Sequence, residues 1–323
     1  MKLFLTSAYS THPGLDTLLA SAALDNNDEH SLCNDPELAD VIVFIENTQF
    51  DDVMFKSLMA NELVQKYSDK VFMYNEMDKP WDVLPGLYTC MPEKHFSPLR
   101  QHAFAYLSTP NAYIRNVYRA NTDRKWLYSF MGAMSHACRY NIMKLKHEES
   151  YMKDTSDFNV WNTTTEELDK RAHEYVDVIS SSQYVLCPRG IGTSSIRLYE
   201  TLESGRAPVI ISDDWVAPSE IDWTFAIRVK EKQLHTIPAL LDSIKNEAQE
   251  RGDAAREAWQ KHYSPEHLFT TMGHAIQSLQ TIRKEASNAN KDQQDRNPFQ
   301  LNKWIASAGL YKRVVVQKIK RQR

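Results

Sequence analysis

Between residues 184 and 215 the chain reads YVLCPRGIGTSSIRLYETLESGRAPVIISDDW, a stretch that gathers the residue types able to hold phosphate. Arg189 and Arg197 bring guanidinium forks that match phosphate oxygens two at a time. Gly190 and Gly192 lie between them in a chain with only nine glycines, and the expectation is that they take backbone angles closed to other residues. Ser194 or Ser195 is the natural cap for a helix starting near Ile196, whose unpaired amides and positive dipole end favour an anion. Three apart on that helix, Glu200 and Glu203 share a face, where a carboxylate can accept from both ribose hydroxyls of a nucleotide. Gly205 then closes the helix in the left-handed position. The pattern GxGTSS is neither a Walker loop nor the dinucleotide GxGxxG. Standing alone, the loop reads equally well as a tight strand-to-helix turn with Arg197 in a surface ion pair.

What must position these residues is a set of strands alternating with helices. Short apolar runs at Lys2 to Leu5, Val41 to Ile45, Val71 to Tyr74, Trp126 to Phe130, Tyr184 to Cys187, Pro208 to Ile211 and Phe225 to Val229 read as buried strands. Amphipathic stretches at Val53 to Tyr67, Arg139 to Lys146, Thr165 to Ser180 and Ile196 to Ser204 separate several of them. That alternation predicts an α/β fold of parallel sheets with helices on both faces, and ligands beyond the carboxyl ends of the strands. The proline-broken, aromatic stretch from Leu84 to Asn121 reads as an irregular crossover. A boundary near residue 120 therefore separates a first unit, 1–120, from a second, 121–283.

From residue 284 the composition turns polar, which predicts a flexible linker and then a basic tail through 323. That tail carries seven positive charges from Lys303 to Arg323 beside Trp304, Ile305 and Val314 to Val316. It reads either as a solvated terminal segment or as a peripheral anchor on an anionic membrane face. The net charge of -4 argues against a global affinity for nucleic acid. Four scattered cysteines without CxxC or zinc spacing argue against a disulfide framework and a metal site, and the N-terminus does not read as a signal peptide. A cytoplasmic protein, peripheral to a membrane at most, is the expectation. NTTT at Asn162 fits a glycosylation sequon that such a compartment leaves unused.

At this point the chain resembles a known family. CPRGIGTSSIRLYETLESGRAPVIISDDWVAPSEIDW is similar to the signature of the exostosin family, glycosyltransferase family 47, and KWLYSFMGAMSHACRYNIMKL resembles the strand, FxGA loop and arginine that precede it there. The resemblance runs over about residues 70–225. It implies a GT-B fold, two Rossmann-like domains facing across a cleft, with a nucleotide-sugar donor held by the second and transfer that inverts the anomeric carbon. It implies that Arg189, Gly190, Ser194 and Arg197 meet the donor diphosphate, that Glu200 meets the ribose, that Gly132 and Arg139 face the same phosphates, and that Asp213 lies near the donor sugar; the loop reading adds Gly192 to the donor site. A UDP-sugar is favoured over a GDP-sugar, and a glycan or polysaccharide is the acceptor. Where the family often has a PF pair, this chain has Pro218-Ser219.

Inverting transfer needs a base for the acceptor proton and a stabiliser for the leaving diphosphate. Arginines and helix amides supply the second without a metal. Candidates for the base follow the strands of the first unit: His12, Glu46, Glu76 and Asp78, with Asp78 favoured because Pro80 and Trp81 would dry it, and Glu76 next. His95 and His102 are candidates for touching the acceptor. The Asp213-Asp214 pair invites a metal reading that two or three arginines make redundant. Trp161, Trp215 and Trp223 are either sugar platforms or core. The alternative to an enzyme is a catalytically weak scaffold of the same fold, serving as partner to another transferase.

Overall fold

The computed structural model describes residues 1–9, 13–47, 52, 54–107, 111–118, 122–158 and 164–289. Eleven strands form among them: β1 (Lys2–Thr6), β2 (Ser31–Leu32), β3 (Val41–Glu46), β4 (Val71–Asn75), β5 (Gly86–Tyr88), β6 (Gln101–Ala103), β7 (Trp126–Gly132), β8 (Ser150–Asp154), β9 (Ser182–Pro188), β10 (Ala207–Ile211) and β11 (Ile227–Arg228). The α-helices are α1 (Pro13–Leu24), α2 (Lys56–Met59), α3 (Glu62–Lys66), α4 (Ala137–Ile142), α5 (Thr165–Ser180), α6 (Ile196–Glu203), α7 (Ile237–Ser243), α8 (Ala248–His262) and α9 (Leu268–Ala289). All seven strands expected from apolar runs are present. The other four strands are short or half-exposed: β5 and β6 have three residues each, and the side chains of β8 are only partly buried.

Every strand pair is parallel, and the strands divide into two sheets. The first runs β2-β1-β3-β4-β5-β6 and the second β11-β10-β9-β7-β8. In each, the second strand of the unit lies outside the first and the third returns on its other side, the doubly wound order that leaves a crevice where the winding reverses. Those crevices open between β1 and β3 in one sheet and between β7 and β9 in the other. One cavity takes its walls from both units, so the molecule is an α/β protein of GT-B type, two Rossmann-like units facing across a cleft.

Central strands β3 and β4 are buried on both faces, as a parallel sheet between helix layers requires. Ile42, Phe44, Val71 and Met73 pack on Phe55 and Leu58, while Val41, Val43 and Phe72 join a core that reaches into the second unit through Leu198, Tyr199 and Phe269. A third cluster fills the outer side of the second sheet, where Val209 and Ile211 meet Ile237 and Leu241.

Three differences from the sequence reading have local causes. The single helix expected over Val53 to Tyr67 is two, because Asn61 caps a new start by accepting the Leu63 N–H at 2.9 Å. The stretch expected to be irregular carries β5 and β6. Gly86 opens β5 where any Cβ would strike the backbone of Met73. The polar residues from 284, expected to be a linker, continue α9 to Ala289, and α9 packs against α1, β5 and β6 of the first sheet. His12, Trp161, Asn162 and the basic tail lie outside the described residues. No helix among the described residues is long and apolar enough to cross a membrane.

Candidate functional site

The strand β9 delivers the chain to the crevice beside β7, and the loop 189–195 then turns into α6. Among the described residues Gly205 is the one glycine with a left-handed backbone, at φ 65, and it stands directly after α6 as expected. Gly190 and Gly192 do not need unusual angles, which corrects the sequence expectation. They are glycines because other atoms come close. A Cβ on Gly190 would lie 3.1 Å from Arg139 Nη2 and from Ser135 Oγ, and one on Gly192 would overlap Cys90 Sγ and come within 2.8 Å of Asp78 Oδ1. Gly132 makes room in the same way for the Arg197 guanidinium, 2.6 Å from where a Cβ would be. Ser195 occupies the cap position of α6 with extended backbone, yet its side chain makes no capping bond. The Ser195 side chain therefore leaves the Ile196 and Arg197 amides uncapped at the start of α6, and both residues line the cavity.

A cavity of about 520 Å³ opens above this loop. The second unit lines it with Ser135, Arg139, Tyr175, Gly190, Ile191 and the run Ser194 to Arg197 together with Glu200, and the first with Asn47, Glu76, Asp78 and Tyr106. Arg197 is 9% exposed and rests its guanidinium 4.6 Å from the centre of the Phe130 ring. Its Nη2 donates to the Met131 carbonyl at 2.6 Å, while buried Nε and Nη1 have no partner. Arg139 donates from Nε to the Arg189 carbonyl at 2.9 Å and from Nη1 to the Ala133 carbonyl at 2.9 Å. Burial, followed by the neighbouring charge of Arg197, lowers the Arg139 pKa to about 10. Two like charges held together with donors to spare create a positive site that an anion would relieve.

Glu200 closes the inner end. Its Oε1 accepts the Asn111 N–H at 3.1 Å and its Oε2 the Tyr175 hydroxyl at 2.6 Å, which leaves lone pairs on both oxygens. Glu203 does not share this role. It turns to Arg115, 3.9 Å away, and burial pushes its carboxyl up to about 7. Across the cleft, burial raises the Asp78 carboxyl above the ordinary range, opposed by the nearby Gly192 amide and by the charge of Arg139. Glu76 is buried and accepts the Leu107 N–H at 3.1 Å. Glu46, at the end of β3, accepts from the Ala8 N–H at 2.7 Å and the Ser7 hydroxyl at 3.0 Å, and burial drives it up to about 7.

Of the residues singled out from sequence, Asp78, Glu76, Gly190, Ser194, Arg197, Glu200 and Arg139 line the cavity, whereas Arg189, Gly192, Gly132 and Asp213 do not. The Arg189 side chain leaves the loop on the other side and meets Asp214 at 3.3 Å, so only its carbonyl serves the cavity, by anchoring Arg139. Asp213 is held in a loop exchange with Glu231, whose N–H it accepts at 3.0 Å. Trp215 and Trp223 pack edge to face on each other with Trp215 buried, and so belong to the core. His95 is exposed in a short turn, and His102 bonds Ser219 at 3.0 Å, joining the two units away from the cavity. Tyr175, Tyr106, Asn47 and Ser135 were missed. Tyr175 sits on the core-facing stripe of α5, where an aromatic residue reads as packing.

The sequence profile of the Exostosin GT47 domain matches residues 64–244. The exostosin-1 homolog of Caenorhabditis elegans is 32% identical over 162 residues, which cover 45% of this chain and 42% of that protein. Exostosin-1 of Drosophila melanogaster is 37% identical over 75 residues, 22% of this chain and 10% of that one. The chain thus spans less than half the length of these relatives. Among solved structures, Anabaena HepE in complex with UDP is 11% identical with a TM-score of 0.35, over 90% of this chain and 100% of that one. WaaG, a glycosyltransferase involved in lipopolysaccharide biosynthesis, is 10% identical with a TM-score of 0.40, over 87% of this chain and 99% of that one. With more than half of its length matched by the family profile, the chain belongs to the exostosin family, glycosyltransferase family 47.

Proposed function

We propose that the protein is a glycosyltransferase that moves a sugar from a nucleoside-diphosphate donor, a UDP-sugar in preference to a GDP-sugar, to a hydroxyl of a glycan or polysaccharide. The observation that carries this reading is the pair of unpartnered, buried Arg197 donors, held beside Arg139 at the start of α6. In this reading the donor diphosphate takes those donors together with the open amides of α6, and Glu200 receives the ribose hydroxyls on its remaining lone pairs. Ser194 and Gly190 flank the phosphates. Arg189, Gly192 and Gly132 act at one remove, by holding Arg139, by admitting the opposite unit and by admitting Arg197. Residues 1–120 form the acceptor side and residues 121–283 the donor side, whose closing helix α9 packs back on α1, β5 and β6 of the first.

Transfer proceeds with inversion as a single displacement. An acceptor hydroxyl enters from the side of the first unit, and Asp78 takes its proton as the new glycosidic bond forms and the sugar-phosphate bond breaks. Burial supports Asp78 as a base because it raises the carboxyl's proton affinity towards working pH. Glu76, the second candidate, is buried in the same wall and accepts the Leu107 N–H. Charge growing on the departing diphosphate falls on guanidinium groups fixed before the reaction, so little reorganisation is needed. Residues 303–323 form the proposed contact with an anionic membrane, which vesicle sedimentation with and without that segment would test.

A thermal-shift panel of UDP, GDP, CMP and their sugars tests the donor assignment. UDP and one UDP-sugar should raise the melting temperature in proportion to the logarithm of their concentration. Equal shifts with GDP would remove the base preference, and silence across the panel would overturn the donor site.

A further inference from the structure

Behind Arg139, on the side of the loop away from the cavity, two side chains from the start of α4 converge with one from the segment after β11. His136 Nδ1 lies 3.2 Å from Cys138 Sγ and 3.8 Å from Glu231 Oε2, and all three ligand atoms fall within 4.8 Å of one another. Tetrahedral zinc with bonds of roughly 2.0–2.3 Å separates its ligand atoms by about 3.3–3.8 Å. We propose that His136, Cys138 and Glu231 form a binding site for a divalent cation of zinc type, with one position left for water. This assignment does not depend on the donor reading.

The surroundings fit such an ion. Glu231 is already oriented: its N–H donates to Asp213 Oδ1 at 3.0 Å, and its Oε1 accepts the Asp213 N–H at 3.3 Å, which leaves Oε2 directed at the histidine. Supporting bonds of this kind set the direction of a ligand and tune its affinity. Arg189 approaches the same outer oxygen, Oε1, at 3.9 Å and spends its closer contact on Asp214. The thiol has only a long 3.7 Å contact to the Arg189 carbonyl besides its histidine neighbour. As thiolate and carboxylate the set carries two negative charges, so a bound divalent ion leaves the site neutral beside Arg189 and Arg139. A mixed nitrogen, sulfur and oxygen set selects zinc over magnesium or manganese, which prefer oxygen alone. Binding would release the thiol proton and replace the weak cap that His136 Nδ1 gives the Cys138 N–H at 3.3 Å. The ion would pin the turn bearing Ser135 and the start of α4 to the segment after β11.

Chelator-treated full-length protein titrated with cobalt(II) provides the test, because a cobalt-thiolate bond gives a near-ultraviolet charge-transfer absorption. One equivalent should develop that band, and zinc should abolish it. C138S should lose the band and C33S should keep it. E231Q removes one donor from the half-exposed edge of the site without touching the core, and should weaken cobalt binding at least about tenfold, as losses at metal sites usually do. Absence of a thiolate band, or a band that survives in C138S, would overturn the proposal. If C138S does not fold, unchanged cobalt affinity in a folded E231Q would overturn it alone.

Discussion

Replacing Arg197 by methionine separates a ligand-binding arginine from a structural one. In the free protein the side chain makes one hydrogen bond, to the Met131 carbonyl, and stacks on Phe130, while two of its donor nitrogens are buried without partners. Losing the bond and the cation–π contact costs about 1–2 kcal/mol each. Removing two buried unpaired donors, and a charge that repels Arg139, returns a similar amount. The stability of the free protein should therefore change little. Donor binding should not be spared. Charge-assisted hydrogen bonds contribute about 1.5–3 kcal/mol each, so two of them predict a loss of about 3–6 kcal/mol, or roughly two to four orders of magnitude in Kd for UDP.

Urea unfolding of the free protein and calorimetric titration with UDP measure the two quantities separately. The reasoning requires a midpoint close to that of the unsubstituted chain together with a collapse in affinity. A large loss of stability with UDP affinity intact would refute it, because Arg197 would then be a packing residue whose free nitrogens serve nothing. Methionine keeps the aliphatic stem, which confines the lost volume to the guanidinium group itself.

Asp78→Asn should leave UDP affinity within about twofold while turnover falls by about two orders of magnitude or more, the scale of general base catalysis, as followed by release of UDP from donor and acceptor. Gly192→Ala places a Cβ against Cys90 Sγ and 2.8 Å from Asp78 Oδ1, so it should destabilise by about 1–3 kcal/mol in urea and weaken donor binding as well. Glu46 is raised to about 7 from an ordinary 4.5, so the folded state holds its proton more tightly than the unfolded chain does. Its contribution to stability is complete below pH 4.5 and is lost as pH rises through about 7, about 3 kcal/mol in all; Glu46→Gln should flatten that decline in urea midpoints measured across the range.

The buried strands were legible because a parallel sheet covered on both faces leaves runs such as VIVFI with no polar alternation to confuse them. Strands of two or three residues at sheet edges carry no such run. The helix α9 was hidden for a different reason. Its last part, KEASNA, reads as solvent-facing and helix-neutral, and what fixes its course is packing against α1 and the edge of the first sheet, some two hundred residues away in sequence. The phosphate loop was legible as a loop, yet its two arginines were read as a pair because they flank the glycines. The chain leaving β9 sends Arg189 towards Asp214 and brings only Arg197 to the cavity. The second guanidinium comes from Arg139 on α4, and a motif read along one segment cannot reveal which side of the loop each arginine takes.

The glycines make the same point with more force. Within the loop, Gly190 and Gly192 look like two instances of one requirement, freedom to turn. Their neighbours show two requirements: Gly190 yields to Arg139 of its own unit, Gly192 to Cys90 and Asp78 of the other. The second is an interface residue placed inside the loop proposed to hold phosphate. It brings the proposed base into close contact with the loop proposed to hold the leaving group, so close that a Cβ at Gly192 would lie 2.8 Å from Asp78 Oδ1. A change in how the two units approach each other should alter the burial that raises the Asp78 carboxyl, together with the packing of this loop. If Asp78 is the base and the loop holds the donor, acceptor entry and donor seating meet at the contact between Asp78 and Gly192.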